Sequence, residues 1–457
     1  MPQFIPAALS FLAAVSTKVL FQAVLFLGSM ALSSNAKRKA ERQARAAYNA
    51  AQVDRLANYP STVAPRELVL GRVRKGGHVF FRDSVGQYRE KFVVLIALAG
   101  HEIDGVEQIW LNDIAVTLDA GGWVQTAPYL LTRRETGRVA GTVAPPEAIP
   151  GTIYTEVFGG EEGELVTVYQ YEVNTPKARI TVYTGAPGQA ADPGTITDFP
   201  GVWTSNHRAD GIAYIKAEFF YDETAFPNGL PVVSATLRGA RCFDPRTGLT
   251  TFTENPALHM RHVLTHPYFG KRATLTADED ARITAAANAC DIAHNYGAGP
   301  VPMFRSALVV PFGTAPRDAL DDLAQAMAGQ WADAGGEFFL RAGVYTAPVM
   351  ALTEADLATT TRDAAGGIGQ QAIAINTHLA RVDKFNAVLP RIWDAAQAYK
   401  QSTLAPVKGA ALITADGVEL AREVDMQAVF YAQQAQHVAG ILLRDARDPL
   451  PVTAAFK

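Results

Sequence analysis

Three histidines, His259, His262 and His266, fall three and four positions apart. On one helix they would share a stripe, a spacing able to hold a zinc ion. Ala257, Met260 and Leu264 fall roughly opposite, which turns the stripe toward solvent or a neighbouring subunit, and no carboxylate stands on it to complete a ligand set. A polar surface or subunit contact is therefore expected. His101-Glu102 lacks the second histidine of a zincin motif. Glu161, Glu162 and Glu164 could be taken for a glycosidase pair, but a retaining pair needs its carboxyls about 5 Å apart across a cleft, usually from different elements. Clustered in a glycine-rich stretch, they read as solvated charge. Gly71-Arg-Val-Arg-Lys-Gly-Gly77 has neither P-loop spacing nor a following helix, and no Gly-x-Ser-x-Gly elbow occurs. Arg72, Arg74 and Lys75 read as a charged strand edge that discourages pairing. Cys242 and Cys290 are the only cysteines, too few for a disulfide framework or a four-thiolate metal site, and buried free thiols are expected. No catalytic set, cofactor or metal follows from these residues.

The elements that would carry such residues belong to an ordinary folded protein. The chain has 457 residues, 48% hydrophobic and 19% charged, with a net charge of −4; two to four domains and a sizeable core fit this. The near-neutral balance gives no electrostatic case for nucleic acid, and no sequence-specific nucleic-acid binding is expected.

Residues 4–32 contain one cation, Lys18, and no acid. A helix there is apolar on every side, with Phe4, Leu12, Leu20, Phe26 and Leu32 spread around it, as in a buried or membrane helix. Its length exceeds the roughly 20 residues a bilayer requires. Lys37, Arg38, Lys39, Arg42 and Arg45 follow, a basic flank of the kind that stays cytoplasmic. A second, more polar helix is expected from 35 to 56.

From Arg66 the pattern turns to strands: 67–73 and 78–81 as a hairpin through Gly76-Gly77, then 91–99 and 106–112, with a tight reversal at Asn112-Asp113, residue types that tolerate the left-handed region. Residues 133–163 lack period and read as an exposed insertion. Strands return at 165–171 and 178–183. The most tightly specified stretch is 212–265. Strand 214–221 puts Ile215, Ala217, Phe219 and Tyr221 on one face and Lys216 and Glu218 on the other, the pattern of a half-buried strand. Strand 232–238 alternates likewise. Between them Pro227, Asn228 and Gly229 specify a turn, and Asp244, Pro245 and Arg246 open a second that ends the ribbon. Asn255 and Pro256 supply an N-cap and first-turn proline for a helix to Leu264. A helix over 277–294 capped by Thr276 follows. A second β unit then has a strand at 304–311, a helix at 316–329, a hairpin over 337–345 turning at Ala342-Gly343, elements at 387–392 and 409–419, and a final helix over 427–444.

Three strings carry a resemblance. The first is Phe226-Pro-Asn-Gly-Leu-Pro231, followed by Arg238-Gly239, Phe243-Asp-Pro-Arg-Thr-Gly248 and Asn255-Pro-Ala-Leu258. The second is Ala99-Gly-His-Glu-Ile-Asp-Gly-Val-Glu-Gln-Ile-Trp-Leu-Asn-Asp113, with Trp110, Asn112 and Asp113 at its end. The third is Asp383-Lys-Phe-Asn-Ala-Val388, holding Lys384, Phe385 and Asn386, with Trp393 after it. Together, over roughly residues 60 to 445, the chain resembles the central tail hub of long-tailed bacteriophages, the family of the tip attachment (host specificity) protein J and of gene-transfer-agent hubs.

The resemblance implies an α+β, β-rich fold of two small β-barrel-like hub lobes with inserted domains, preceded by the apolar helix. The expected division is 1–60, 61–185, 186–300 and 301–457. It implies a virion protein of the tail tip, assembled in the host cytoplasm: a homotrimer closing a non-contractile tail, joined to distal tube, tape-measure and tail fibre proteins, and gating genome ejection. The apolar helix would then lie near the tail axis, packed with its copies or with the tape-measure terminus, and could contact the host membrane during ejection. Members usually continue into fibre domains, so receptor specificity is not expected in these residues. The alternative from residues alone is a membrane-anchored cell-envelope protein with a β-rich binding body.

Overall fold

The computed structural model describes residues 58–60, 64–158, 164–347, 353, 373–375, 384–445 and 452–454. The apolar and basic segments before residue 58 lie outside these, as do Glu161 and Glu162. The chain divides into two compact units. One holds Arg74–Gly239 with the described residues up to Leu68, the other Val69–Val73 with the described residues from Ala240 onward.

In chain order the elements that matter are β1 (Glu67–Leu70), β2 (Arg72–Lys75), β3 (His78–Val85), β4 (Lys91–Ala99), β5 (Gly105–Leu111), β6 (Ile114–Val116), β7 (Leu130–Ala140), β8 (Tyr154–Phe158), β9 (Glu164–Pro176), β10 (Ala178–Tyr183), α1 (Pro193–Asp198), β11 (Ala213–Phe220) and β12 (Val233–Arg238). The later part has β13 (Arg241–Asp244), β14 (Leu249–Phe252), α2 (Pro256–Thr265), α3 (Ala277–Cys290), β15 (Leu308–Pro311), α4 (Pro316–Ala326), β16 (Gln330–Ala334), β17 (Glu337–Arg341), β18 (Ala387–Asp394), β19 (Lys400–Thr403), β20 (Val407–Lys408), α5 (Ala410–Asp416), β21 (Ala421–Asp425) and α6 (Ala432–Asp445). The fold is β-rich with helices, as expected. The barrel-like lobes are not closed: the sheets are open and none of the described strands completes a barrel.

The first unit is built on β3, β4, β11 and β10, with Tyr59–Pro60 beside β3. β11 sits between β4 and β10, antiparallel to both. It does not pair with β12, which enters another sheet beside β5 and β6. The ribbon expected over 212–238 is thus two strands in two sheets, and the turn at Pro227 is a crossover between them. The hairpin expected at Gly76-Gly77 is likewise absent, since β3 pairs with β4 while Arg74 and Lys75 of β2 lie in the sheet of β12. Gly77 is there for space: a Cβ on it would stand 2.2 Å from the Ala97 carbonyl oxygen.

A register shift between Val79 and Phe81 brings two consecutive phenylalanines to one aromatic cluster. Phe80 and Phe81 lie 6.3 and 5.1 Å from the Trp203 ring, over a core of Val93, Leu95, Phe199 and Tyr214. Full burial of a side chain in that core contributes about 1.5–3 kcal/mol; Phe80 itself stays partly exposed.

The insertion expected as loop over 133–163 instead contains β7 and β8, which flank β9 in an antiparallel sheet. Its strands are largely polar on both faces, held by exposed pairs such as Arg134 with Glu172 at 3.6 Å, so no apolar alternation marked them. Gly137 of β7 leaves room for the Tyr169 ring, which a Cβ would meet at 2.5 Å.

In the second unit β13 and β14 form a hairpin. Helix α3 is opened by a capping box between Thr276 and Glu279, and α4 buries Leu320 and Leu323, with Met327 just beyond its end. β16 and β17 pair antiparallel through Gly335 and Gly336, both at positive φ. The turn expected at Ala342-Gly343 is therefore displaced; Gly343 serves close approach, since a Cβ there would lie 2.4 Å from the Ala328 carbonyl oxygen. β18 is paired by β19 and β20 antiparallel and by β21 in parallel, and α6 packs Val438, Ala439 and Leu443 inward.

Candidate functional site: polar fasteners at the motif residues

The structure gives the motif residues the work of fixing backbone. Asn112 and Asp113, both at positive φ, make the reversal between β5 and β6. Asn112 donates its N–H to the Val232 carbonyl at 3.0 Å and accepts the Val232 N–H on Oδ1 at 2.8 Å, tying the reversal to the chain entering β12. Asp113 Oδ1 receives Arg74 at 2.5 Å. The Arg74 side chain is only 1% exposed; its guanidinium also reaches Ser234 Oγ at 3.0 Å and lies 4.2 Å from the Trp110 ring centroid. The Trp110 Nε1–H in turn donates to Thr236 at 3.1 Å. Arg74 was expected on a solvated edge. It is instead buried, with its charge met by a carboxylate and an indole face.

Pro227, Asn228 and Gly229 are exposed, with the turn closed by the Gly229 N–H on the Phe226 carbonyl at 3.1 Å. Phe226 packs between Tyr129 and Phe219. The first two motif strings thus meet, through Asn112 and the residue that follows Pro231, and through the Asp104 N–H on the Arg238 and Gly239 carbonyls.

Arg246, with Asp244 in its grip, and Asn255 converge on the C-terminal end of α3. The Arg246 guanidinium grips Asp244, Nη2 to Oδ2 at 2.8 Å, and reaches Asp291 at 2.7 Å and Asn288 at 3.1 Å through Nη1. Asp244 is held below the usual carboxylate range by that guanidinium, against the opposing effect of burial. Asn255 caps α2, accepting the Ala257 N–H at 3.0 Å, and donates Nδ2–H to the Ala287 carbonyl at 3.0 Å. Pro256 fills the first turn.

The third string centres on Asn386, which is fully buried. Its Nδ2 donates to Asp416 at 2.8 Å and to the Val418 carbonyl at 2.9 Å, while Oδ1 accepts the Leu420 N–H at 2.7 Å. One amide thereby ties the C-terminal end of α5 to the start of β18. Phe385 beside it lies under Arg422 at 5.3 Å, and Lys384 is half-buried.

The histidine stripe is corrected. His259 is fully buried, in line with Met260 and Leu264, because α2 is covered on most of its circumference. Its Nε2–H donates to the Thr253 carbonyl at 3.0 Å, an oxygen that can only accept, so Nδ1 takes the Ser306 hydroxyl at 2.8 Å. Burial pulls His259 down to about 4, against the opposing pull of the Thr253 carbonyl. His262 and His266 are half-buried, and His266 Nδ1 accepts the N–H of Tyr268 and Phe269. Among the described residues no group of three or more His, Cys, Asp or Glu side chains is placed to hold a metal ion. Cys242 and Cys290 are buried free thiols, with Cys242 pushed up to about 12 by burial.

Sequence reasoning missed one cluster. Lys216 and Glu218, assigned to a solvated face of β11, are each 3% exposed. Lys216 Nζ lies 2.7 Å from Asp192 Oδ2 and 3.3 Å from Glu218 Oε1. Lys91 Nζ lies 2.6 Å from Glu218 and 2.7 Å from Asp198. Asp192 caps α1, accepting the Thr195 N–H and hydroxyl at 2.5 and 2.6 Å, and also receives the Tyr183 hydroxyl. Burial would raise Asp192, but Lys216, Thr195 and Tyr183 outweigh it and hold it at about 2. The Asp192-Pro193 pair was the available signal, an N-cap followed by proline beneath a strand carrying Lys and Glu two apart.

Residues 315–456 match a family model described as a putative phage tail protein. Among curated proteins no sequence matches. Among solved structures, a chain of the virion of a native gene transfer agent particle shares the fold at a TM-score of 0.51, with 15% identity, covering 98% of this chain and 85% of that one. Over residues 315–456 the chain is thus similar in sequence to phage tail proteins, and over nearly its whole length it is similar in fold to a gene transfer agent virion chain.

Proposed function

We propose that the chain is a structural protein of a phage-like tail, the hub that closes the distal tip of a non-contractile tail, links tube to receptor-binding fibre and gates genome release. The observation that carries this reading is the phage tail match over residues 315–456, set in a chain whose fold follows that of a virion chain along 98% of its length. The motif residues support it in kind. Asn112, Arg246, Asn255 and Asn386 spend their polar atoms on backbone and neighbouring side chains, as suits a part that holds shape under load.

In this reading the hub is a homotrimer whose two β-rich units per chain build a pseudo-six-fold ring, a closed symmetric assembly that also covers strand edges. Its partners are distal tube, tape-measure and tail fibre proteins. The apolar residues 4–32 lie near the axis in the resting particle and meet the host membrane on release, since so many exposed apolar side chains would otherwise drive aggregation. Electron cryomicroscopy of intact particles is the test, with three copies expected at the distal tip. Copies along the tube, a ring of six chains, or recovery with membranes in place of particles would overturn the reading.

A further inference from the structure

We propose that Lys216 and Asp192 are joined by an intramolecular isopeptide bond, formed with Glu218 as proton relay. The amine and carboxyl stand 2.7 Å apart, their side chains 4% and 7% exposed. The relay carboxylate is 3.3 Å from the same amine and 4% exposed. Gly194 keeps the approach open, for a Cβ there would lie 2.5 Å from Lys216 Nζ.

Such a pair held rigidly in contact has the proximity that makes an otherwise slow acyl transfer proceed within one molecule. Lys216 passes one ammonium proton by way of Glu218 to Asp192, whose carboxyl group becomes the neutral acid, and the freed lone pair of the amine attacks its Cγ, forming the C–N bond. A second proton from the nitrogen passes to the hydroxyl oxygen of that adduct, which leaves as water. An ammonium and a carboxylate become one amide and one water, with nothing oxidised or reduced and no outside reactant. Donors already aimed at the carboxyl group, the Tyr183 hydroxyl on Oδ1 and the Thr195 amide and hydroxyl on Oδ2, stay in place to stabilise the oxyanion that develops. Lys91 Nζ lies 2.6 Å from the same Glu218 carboxylate and holds it in place beside the amine. The reaction is favoured because it replaces two charges held out of water by a neutral amide, and the exclusion of water slows the reverse hydrolysis.

The test is the intact mass of the purified full chain under denaturing conditions. The expected mass is one water below that of the sequence, with a protease digest yielding a branched peptide that joins the segment of Lys216 to that of Asp192. Lys216→Arg is expected to restore the full mass, and Glu218→Gln to leave the chain unlinked. A wild-type chain at full mass, with the two segments released separately, would overturn the proposal and leave the cluster an ionic fastener only. A Glu218→Gln chain that still carries the link would overturn the relay.

Discussion

The guanidinium of Arg74 lies between the carboxylate of Asp113 and the indole of Trp110, 2.5 Å from the first and 4.2 Å from the ring centroid of the second. Asp113 is half exposed while Arg74 is sealed in, so the carboxylate reaches inward to neutralise a charge that cannot reach water. Asp113→Ala is expected to destabilise the fold by about 1–3 kcal/mol, since a buried donor is left without its charged acceptor. Adding Arg74→Met should recover part of that loss. Urea unfolding of both variants checks this, and simple additivity of the two changes would sink it.

Asn386→Ala should orphan the Val418 carbonyl and the Leu420 N–H at one stroke. About 1–3 kcal/mol is expected for each group that stays buried. The site-specific readout is amide hydrogen exchange at Leu420, which should quicken sharply while the β11 amides keep their protection. Unchanged exchange at Leu420 would show that the loop holds without the amide.

His259 predicts a pH dependence. Its folded value, about 4, lies below the ordinary 6.5, so between these values the unfolded chain binds a proton that the folded chain refuses. Stability from this group is full above pH 6.5 and is lost as pH falls toward 4, by up to about 3 kcal/mol. His259→Gln should flatten that part of the curve. A wild-type stability constant between pH 6.5 and 4 would contradict the placement of the ring.

Gly71→Ala is expected to cost more than about 2 kcal/mol. Its φ is +66°, and a Cβ would sit 2.3 Å from the backbone oxygen of Ser306, an atom no rotamer change can move aside. A variant with the wild-type denaturation midpoint would show that this backbone gives way easily.

Local chemistry was legible in the sequence, and long-range partnership was not. The reversal at Asn112-Asp113 and the caps at Asn255 and Thr276 rest on side chains bonding to backbone within a few residues. The turn at Pro227 was legible too, but which sheets its flanking strands join depends on β4, β5 and β10, and nothing within 212–238 encodes that. Lys216 and Glu218 were misread because alternation cannot tell a charge in water from a charge met by Asp192 or Lys91. His259 was misplaced for the same reason, its polar atoms being answered by Thr253 and Ser306. β9 was legible in part, as the strand expected at 165–171, whereas β7, rich in Arg, Thr and Glu, left no apolar period. Of the candidate site, the residues of the three strings were visible beforehand, while their partners Arg74, Val232, Asp291 and Leu420 were not.

The short segment Val69–Val73 belongs with residues after Ala240, where the Val69 carbonyl accepts the Ala240 N–H at 2.8 Å and β1 pairs with β15. During synthesis this segment leaves the ribosome long before its partners exist. At about 5–20 residues per second, the interval between Val73 and the arrival of Leu308 is roughly 10 to 50 seconds. Throughout it, Val69 and Leu70, neither of them exposed in the finished fold, lack the strand that pairs with them as β15. The order of translation therefore makes the pairing of β1 with β15 a late event in the birth of each molecule.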